Sequence, residues 1–77
     1  MIELDKIRQK VIEAIKLSGM TQTALAKKIG VCHQAIGQYL YQNIMPALDT
    51  FANLCAVLDL DANEMLCIDT YKPTENN

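Results

Sequence analysis

The chain predicts an all-α fold, a compact five-helix bundle, and three observations predict it. Apolar residues recur at three- and four-residue intervals, the signature of helices buried on one face. Only two prolines and three glycines interrupt 77 residues, and β-branched runs are few, so little opposes helix formation. Good helix-starting residues stand just before several of the periodic segments.

Leu4, Ile7, Val11, Ala14 and Ile15 lie on one stripe of a first helix, from about Glu3 to Leu17. Ser18-Gly19 ends it, with Gly19 suited to the left-handed cap. Thr21 is a good N-cap for a second helix, Gln22 to Ile29. A Glu at its third position would complete a capping box, but Ala24 stands there. Leu25, Ala26 and Ile29 face inward, and Gly30 turns the chain. Cys32 then occupies the N-cap slot of a third helix reaching Leu40 or Tyr41, although cysteine is a poor cap. Gln42 to Pro46 form a loop, because Met45 precedes proline and is pushed out of helical geometry. A fourth helix runs from Leu48 to Leu58, with Phe51, Leu54, Cys55 and Leu58 inward. Asp61 and Glu64 have capping-box spacing for a fifth, through about Leu66. Leu60, Met65 and Leu66 close the core.

One domain, residues 1–68, and a polar tail, 69–77, account for the length. About half the residues are apolar and few are aromatic, so aliphatic side chains must supply the core. The N-terminus is charged and lacks the apolar run of a signal peptide. No segment approaches the ~20 apolar residues of a membrane span. Cys32, Cys55 and Cys67 are odd in number and lack metal-finger spacing, which argues against a disulfide framework or a structural zinc site. Reduced thiols in a cytoplasm are the simple expectation. No cofactor is expected. One His, no paired inward carboxylates and no phosphate-cradling glycine loop make an enzyme a poor fit.

The net charge of −2 conceals an asymmetry. Residues 1–13 balance. Residues 14–48 hold Lys16, Lys27 and Lys28 and no acid. Residues 49–77 hold six acids against Lys72. Charge acts locally, over roughly one Debye length of ~8 Å. A mildly basic face is therefore compatible with an acidic whole.

Residues Gln22 to Tyr41 fit a helix-turn-helix. Two helices crossing steeply over a tight turn need a small residue where the backbones approach, and Ala26 is small. The turn needs tolerance of positive φ, and Gly30 supplies it four residues later. Leu25, Ile29, Val31, Ile36 and Tyr39 then point at one core. Packing alone would also account for these helices.

The stretch SGMTQTALAKKIGVCHQAIGQYL, followed by a proline and by LDTFANLCAVLDLDANEML, resembles the Xre/Cro helix-turn-helix family of phage repressors and Cro proteins. The likeness covers residues 4–68. It implies a lambda-repressor-like DNA-binding domain, a transcription regulator and repressor that meets double-stranded DNA as a homodimer. It implies that the helix from about Cys32 to Leu40 lies in the major groove, with His33, Gln34 and Gln38 reading bases. Residues near the start of such a helix reach base edges, and Gln pairs with adenine N6 and N7. Gly37 would allow close approach. Gln22 stands where the family holds a phosphate, with Thr23 beside it and Gln42 and Asn43 as further backbone contacts. Lys27 and Lys28 supply diffuse field.

The chain also departs from the family. Many relatives carry Glu at the place of Leu40, paired with Arg at the place of Ile15. Here an apolar pair is expected instead. Relatives often have Ser or Thr at Cys32 and Gly at Gln42 and Asp59. Cys32 invites a redox-switch reading, since a thiol at a helix N-terminus can be activated; a drifted cap residue is the plainer account. Met65, Leu66, Ile68 and Tyr71 are candidates for a dimer patch, or else merely close the core. The alternative function is a protein-interaction module on the same fold, an antitoxin or antirepressor subunit. Low basic charge suits it, whereas the polar first turn of the third helix does not.

Overall fold

A computed structural model describes residues 1–69. Five helices follow in order: α1 Leu4–Leu17, α2 Gln22–Ile29, α3 His33–Tyr41, α4 Leu48–Leu58 and α5 Ala62–Met65. No strand occurs among the described residues. α2 packs most extensively on α3, α1 supports α3 and α5, and α4 lies against α2.

The helix ends follow local chemistry. Ser18 closes α1 by donating its hydroxyl to the Ile15 carbonyl at 2.6 Å while accepting from the Met20 amide. Gly19 follows at φ +72°. Thr21 caps α2, its hydroxyl accepting from the Ala24 amide at 3.1 Å. At the α2–α3 turn the Ala26 carbonyl accepts from both Gly30 and Val31. Gly30 has φ +81°, and a Cβ built there would meet nothing within 4 Å. The turn thus demands glycine for its backbone angle and not for space. Asp59 ends α4 at φ +55°, a conformation that Asp tolerates better than most residues.

The core is apolar throughout. Val11, Leu25, Ile36 and Leu54 are almost fully enclosed, joined by Ala14, Ile15, Ala26, Ile29, Tyr39, Phe51, Cys55 and Met65. Val31, Leu40, Leu58 and Leu60 pack against this cluster from its margin. Ile15 and Leu40 belong to the same cluster, and no charged side chain is buried among the described residues.

Two expectations need correction. Leu4 is 55% exposed, because the first turn of α1 extends past the core and only from Ile7 onward does the stripe find neighbours. The capping box of α5 is half formed: Asp61 accepts from the Asn63 amide at 3.0 Å, and no return bond from Glu64 appears. In the loop after α3 Asn43 takes the left-handed conformation, φ +58°. Of the residues expected either to form a dimer patch or to close the core, Met65 is buried in the core. Leu66 is half-buried against that core, Ile68 is exposed, and Tyr71 lies outside the described residues.

Candidate nucleic-acid interface

α3 divides into two faces. Ile36 and Tyr39 are buried and hold it against α1 and α2. His33, Gln34 and Gln38 are exposed, with Gly37 half-buried among them. Positions four apart on a helix lie one above the other. His33 therefore aligns with Gly37, and Gln34 with Gln38, as two short adjacent columns of donors and acceptors.

The start of α2 joins this row. The Gln22 side-chain oxygen lies 3.4 Å from where a Cβ on Gly37 would stand. The first side chain of α2 thus rests beside the middle of α3. The Thr21 hydroxyl takes up the Ala24 amide. The Gln22 and Thr23 amides have no intrachain acceptor among the described residues. Such free amides at the positive end of a helix favour an anion.

α3 begins without a side-chain cap. Cys32 is extended and exposed, and its thiol makes no capping bond. Its carbonyl accepts from the Ala35 amide at 3.0 Å, so the turn closes through backbone alone. The poor cap expected from its residue type is thus an absent one, and the first amides of α3 are left for an outside acceptor.

At the other end, the Gln38 carbonyl accepts from both the Gln42 and Ile44 amides. This folds the loop back on the helix end and exposes Gln42 and Asn43. Tyr41, Ile44 and Leu48 are also exposed in this region; the sequence reading assigned them no role. For Tyr41 a signal existed, since it falls three residues beyond Gln38 and off the line of Ile36 and Tyr39.

Two groups have shifted acidity. Burial, then the Asp49 charge, pushes the Tyr39 phenol above its ordinary range, opposed by a hydrogen bond with Thr50. Burial, then Asp61, pushes the Cys55 thiol up, so Cys55 is no ready nucleophile.

The arrangement presents a polar helix face with free amides at two nearby helix starts. The cations of residues 14–48 (Lys16, Lys27 and Lys28) are exposed. Among the described residues no three His, Cys, Asp or Glu side chains converge on a point. No helix among them is long and apolar enough to cross a membrane.

A helix-turn-helix family model matches residues 11–65, and the chain belongs to that family, in keeping with its Xre/Cro-like motifs. This is a family of DNA-binding transcription regulators and not an enzyme family. No curated protein and no solved structure matches the chain significantly.

Proposed function

We propose that the protein is a sequence-specific repressor that places α3 in the major groove of duplex DNA, bound as a homodimer to a two-fold-related site. The observation that carries this reading is the polar row of α3, with Gln22 lying against Gly37 in its middle. Gln34 and Gln38 pair with adenine edges through both amide groups. His33 donates an imidazole N–H to guanine N7 or O6, or to a phosphate. Gln22 and Thr23 hold a phosphate through their amides and side chains, with the α2 dipole behind them. Gln42 and Asn43 hold the backbone on the far flank. Phosphate contacts set the register, and base contacts carry the specificity.

With few cations near the groove, the salt dependence is shallow, since each neutralised phosphate adds about 0.9 to the slope. An acidic protein can hold a polyanion this way because amides and amide side chains replace lysines at the contact. The six acids of the chain's C-terminal third begin only at Asp49.

Selection of bound sites from random duplex DNA at two salt concentrations tests the reading. An enriched motif is expected at both. A Gln34→Ala, Gln38→Ala double substitution should abolish it without lowering the melting temperature, because both side chains are exposed. No enriched motif at low salt would turn the reading to a protein-interaction module.

A further inference from the structure

Two large apolar side chains are left over at the end of the polar row. Tyr41, the last residue of α3, is 72% exposed, and Ile44 is exposed beyond it. The Gln38 carbonyl accepts from the Ile44 amide at 3.3 Å, so the loop brings Ile44 back to the turn of α3 that carries Tyr41. Neither residue belongs to the core cluster. Single exposed apolar residues are common and need no explanation. Two that adjoin a row facing nucleic acid need one.

Helical spacing puts Tyr41 on the row itself. A helix lying along a groove offers it one stripe, positions i, i+3, i+4 and i+7. Counted from Gln34, that stripe is Gln34, Gly37, Gln38 and Tyr41. A step of seven residues falls within about 20° of two full turns, so Tyr41 stands almost in line with Gln34. Between them Gly37 has no side chain to hold the helix away. Tyr39 and Leu40, by contrast, turn toward the core.

Chemistry then restricts the partner. Base edges in the major groove present donors, acceptors and one apolar group, the C5-methyl of thymine. An aromatic ring on a stripe of base readers has that methyl as its base-specific partner. Tyrosine suits the place because its hydroxyl keeps the far end of the ring hydrated when no DNA is bound.

We infer that Tyr41 is a further specificity-determining residue, whose ring packs on the C5-methyl of a thymine, with Ile44 closing the contact from the loop side. The inference rests on the proposed docking of α3 in the major groove. The step from Gln34 to Tyr41 spans about 10 Å along the helix, so this thymine lies about three base pairs from the adenine that Gln34 pairs with. With glutamine choosing adenine and Tyr41 choosing thymine, each half-site is rich in A·T pairs.

Uracil lacks the methyl and is otherwise identical at its edge, which provides the test. In the site selected by the native chain, each dT of one half-site is replaced by dU in turn and the affinity is titrated. One replacement should weaken native binding by about fourfold, the worth of one buried methyl. Tyr41→Ala should weaken binding to the unmodified site by about tenfold. It should also remove the penalty of that same dU, so that the two changes do not add. Its melting temperature should match the native one, because Tyr41 is exposed; if it falls, Tyr41→Ser serves in its place. A site with no methyl-dependent thymine overturns the inference. So does a dU penalty that persists in the Tyr41 variant. So does a variant that loses affinity while no dU carries a penalty, which would set the ring on the sugar–phosphate backbone. Each of these outcomes leaves the DNA reading standing. A native chain that selects no site defeats the DNA reading, and this inference with it.

Discussion

Replacing Gly37 by alanine should strengthen the fold and weaken the DNA complex, two effects of opposite sign from one methyl group. Glycine inside a helix costs about 1 kcal/mol relative to alanine, and Gly37 lies in mid-α3 with no positive φ to justify it. The one neighbour a Cβ would meet is the Gln22 side-chain oxygen at 3.4 Å. That is ordinary van der Waals contact, made with the far end of a flexible side chain. The propensity gain should therefore survive nearly whole. For a domain of this size, about 1 kcal/mol raises the melting temperature by roughly 4–8 °C. The added methyl, however, stands on the row between His33 and Gln38 and against Gln22. Under the proposed function it would hold α3 off the base edges and crowd Gln22, the proposed phosphate holder. Losing one good base contact costs about 1–3 kcal/mol, or roughly tenfold to a hundredfold in affinity. Thermal unfolding by circular dichroism and titration of the selected DNA measure the two effects. A lower melting temperature would show that Gln22 cannot move aside. A stabilised variant with undiminished affinity would refute the claim that α3 approaches DNA through Gly37.

Three further outcomes follow from the same geometry. Gly30→Ala should destabilise the domain by about 1–2 kcal/mol, because an L side chain in the left-handed region costs that much even where space is open; an unchanged denaturation midpoint would contradict the φ of +81°. Leu40→Glu should lower stability by about 1–3 kcal/mol, since it sets a charge against the apolar cluster that holds Ile15; an unaltered melting temperature would refute the apolar replacement of the family's ion pair. The raised phenol of Tyr39 favours its neutral form in the fold, so its contribution is full below the unfolded value of about 10 and is lost as pH rises through the higher folded value. Alkaline unfolding followed by phenolate absorbance should therefore be less steep in Tyr39→Phe, and an identical pH profile would count against burial as the cause.

Much of the fold was legible because its signals are local. Thr21, Gly19 and Gly30 act on their own few residues through capping and backbone angle, so the ends of α1, α2 and the intervening turns could be read directly. The apolar stripes of α2 and α4 carry large residues at close spacing and could face only one way. The expectations that failed were those that depend on neighbours. Leu4 continues the periodicity of α1 but extends beyond anything that could cover it. Asp61 takes the Asn63 amide, and the return bond from Glu64 that would complete the box is absent. In the candidate site, residue type marked His33, Gln34 and Gln38 as a polar row, whereas the placement of Gln22 beside Gly37 required the actual crossing of α2 over α3.

The sequence by itself determined that five helices form, where they start and stop, and that α3 has one apolar and one polar face. Periodicity and capping are written over a few consecutive residues, and nothing distant overrides them here. Only the tertiary structure decided which apolar residues are spare. Met65 and Leu17 are both large apolar side chains on helical stripes, and no local pattern separates them. Met65 meets the core and is enclosed, while Leu17 lies past the edge of the α1 contact and is left beside a groove. That difference arises from where three helices converge, which is set by the sum of all their packing and not by any one segment.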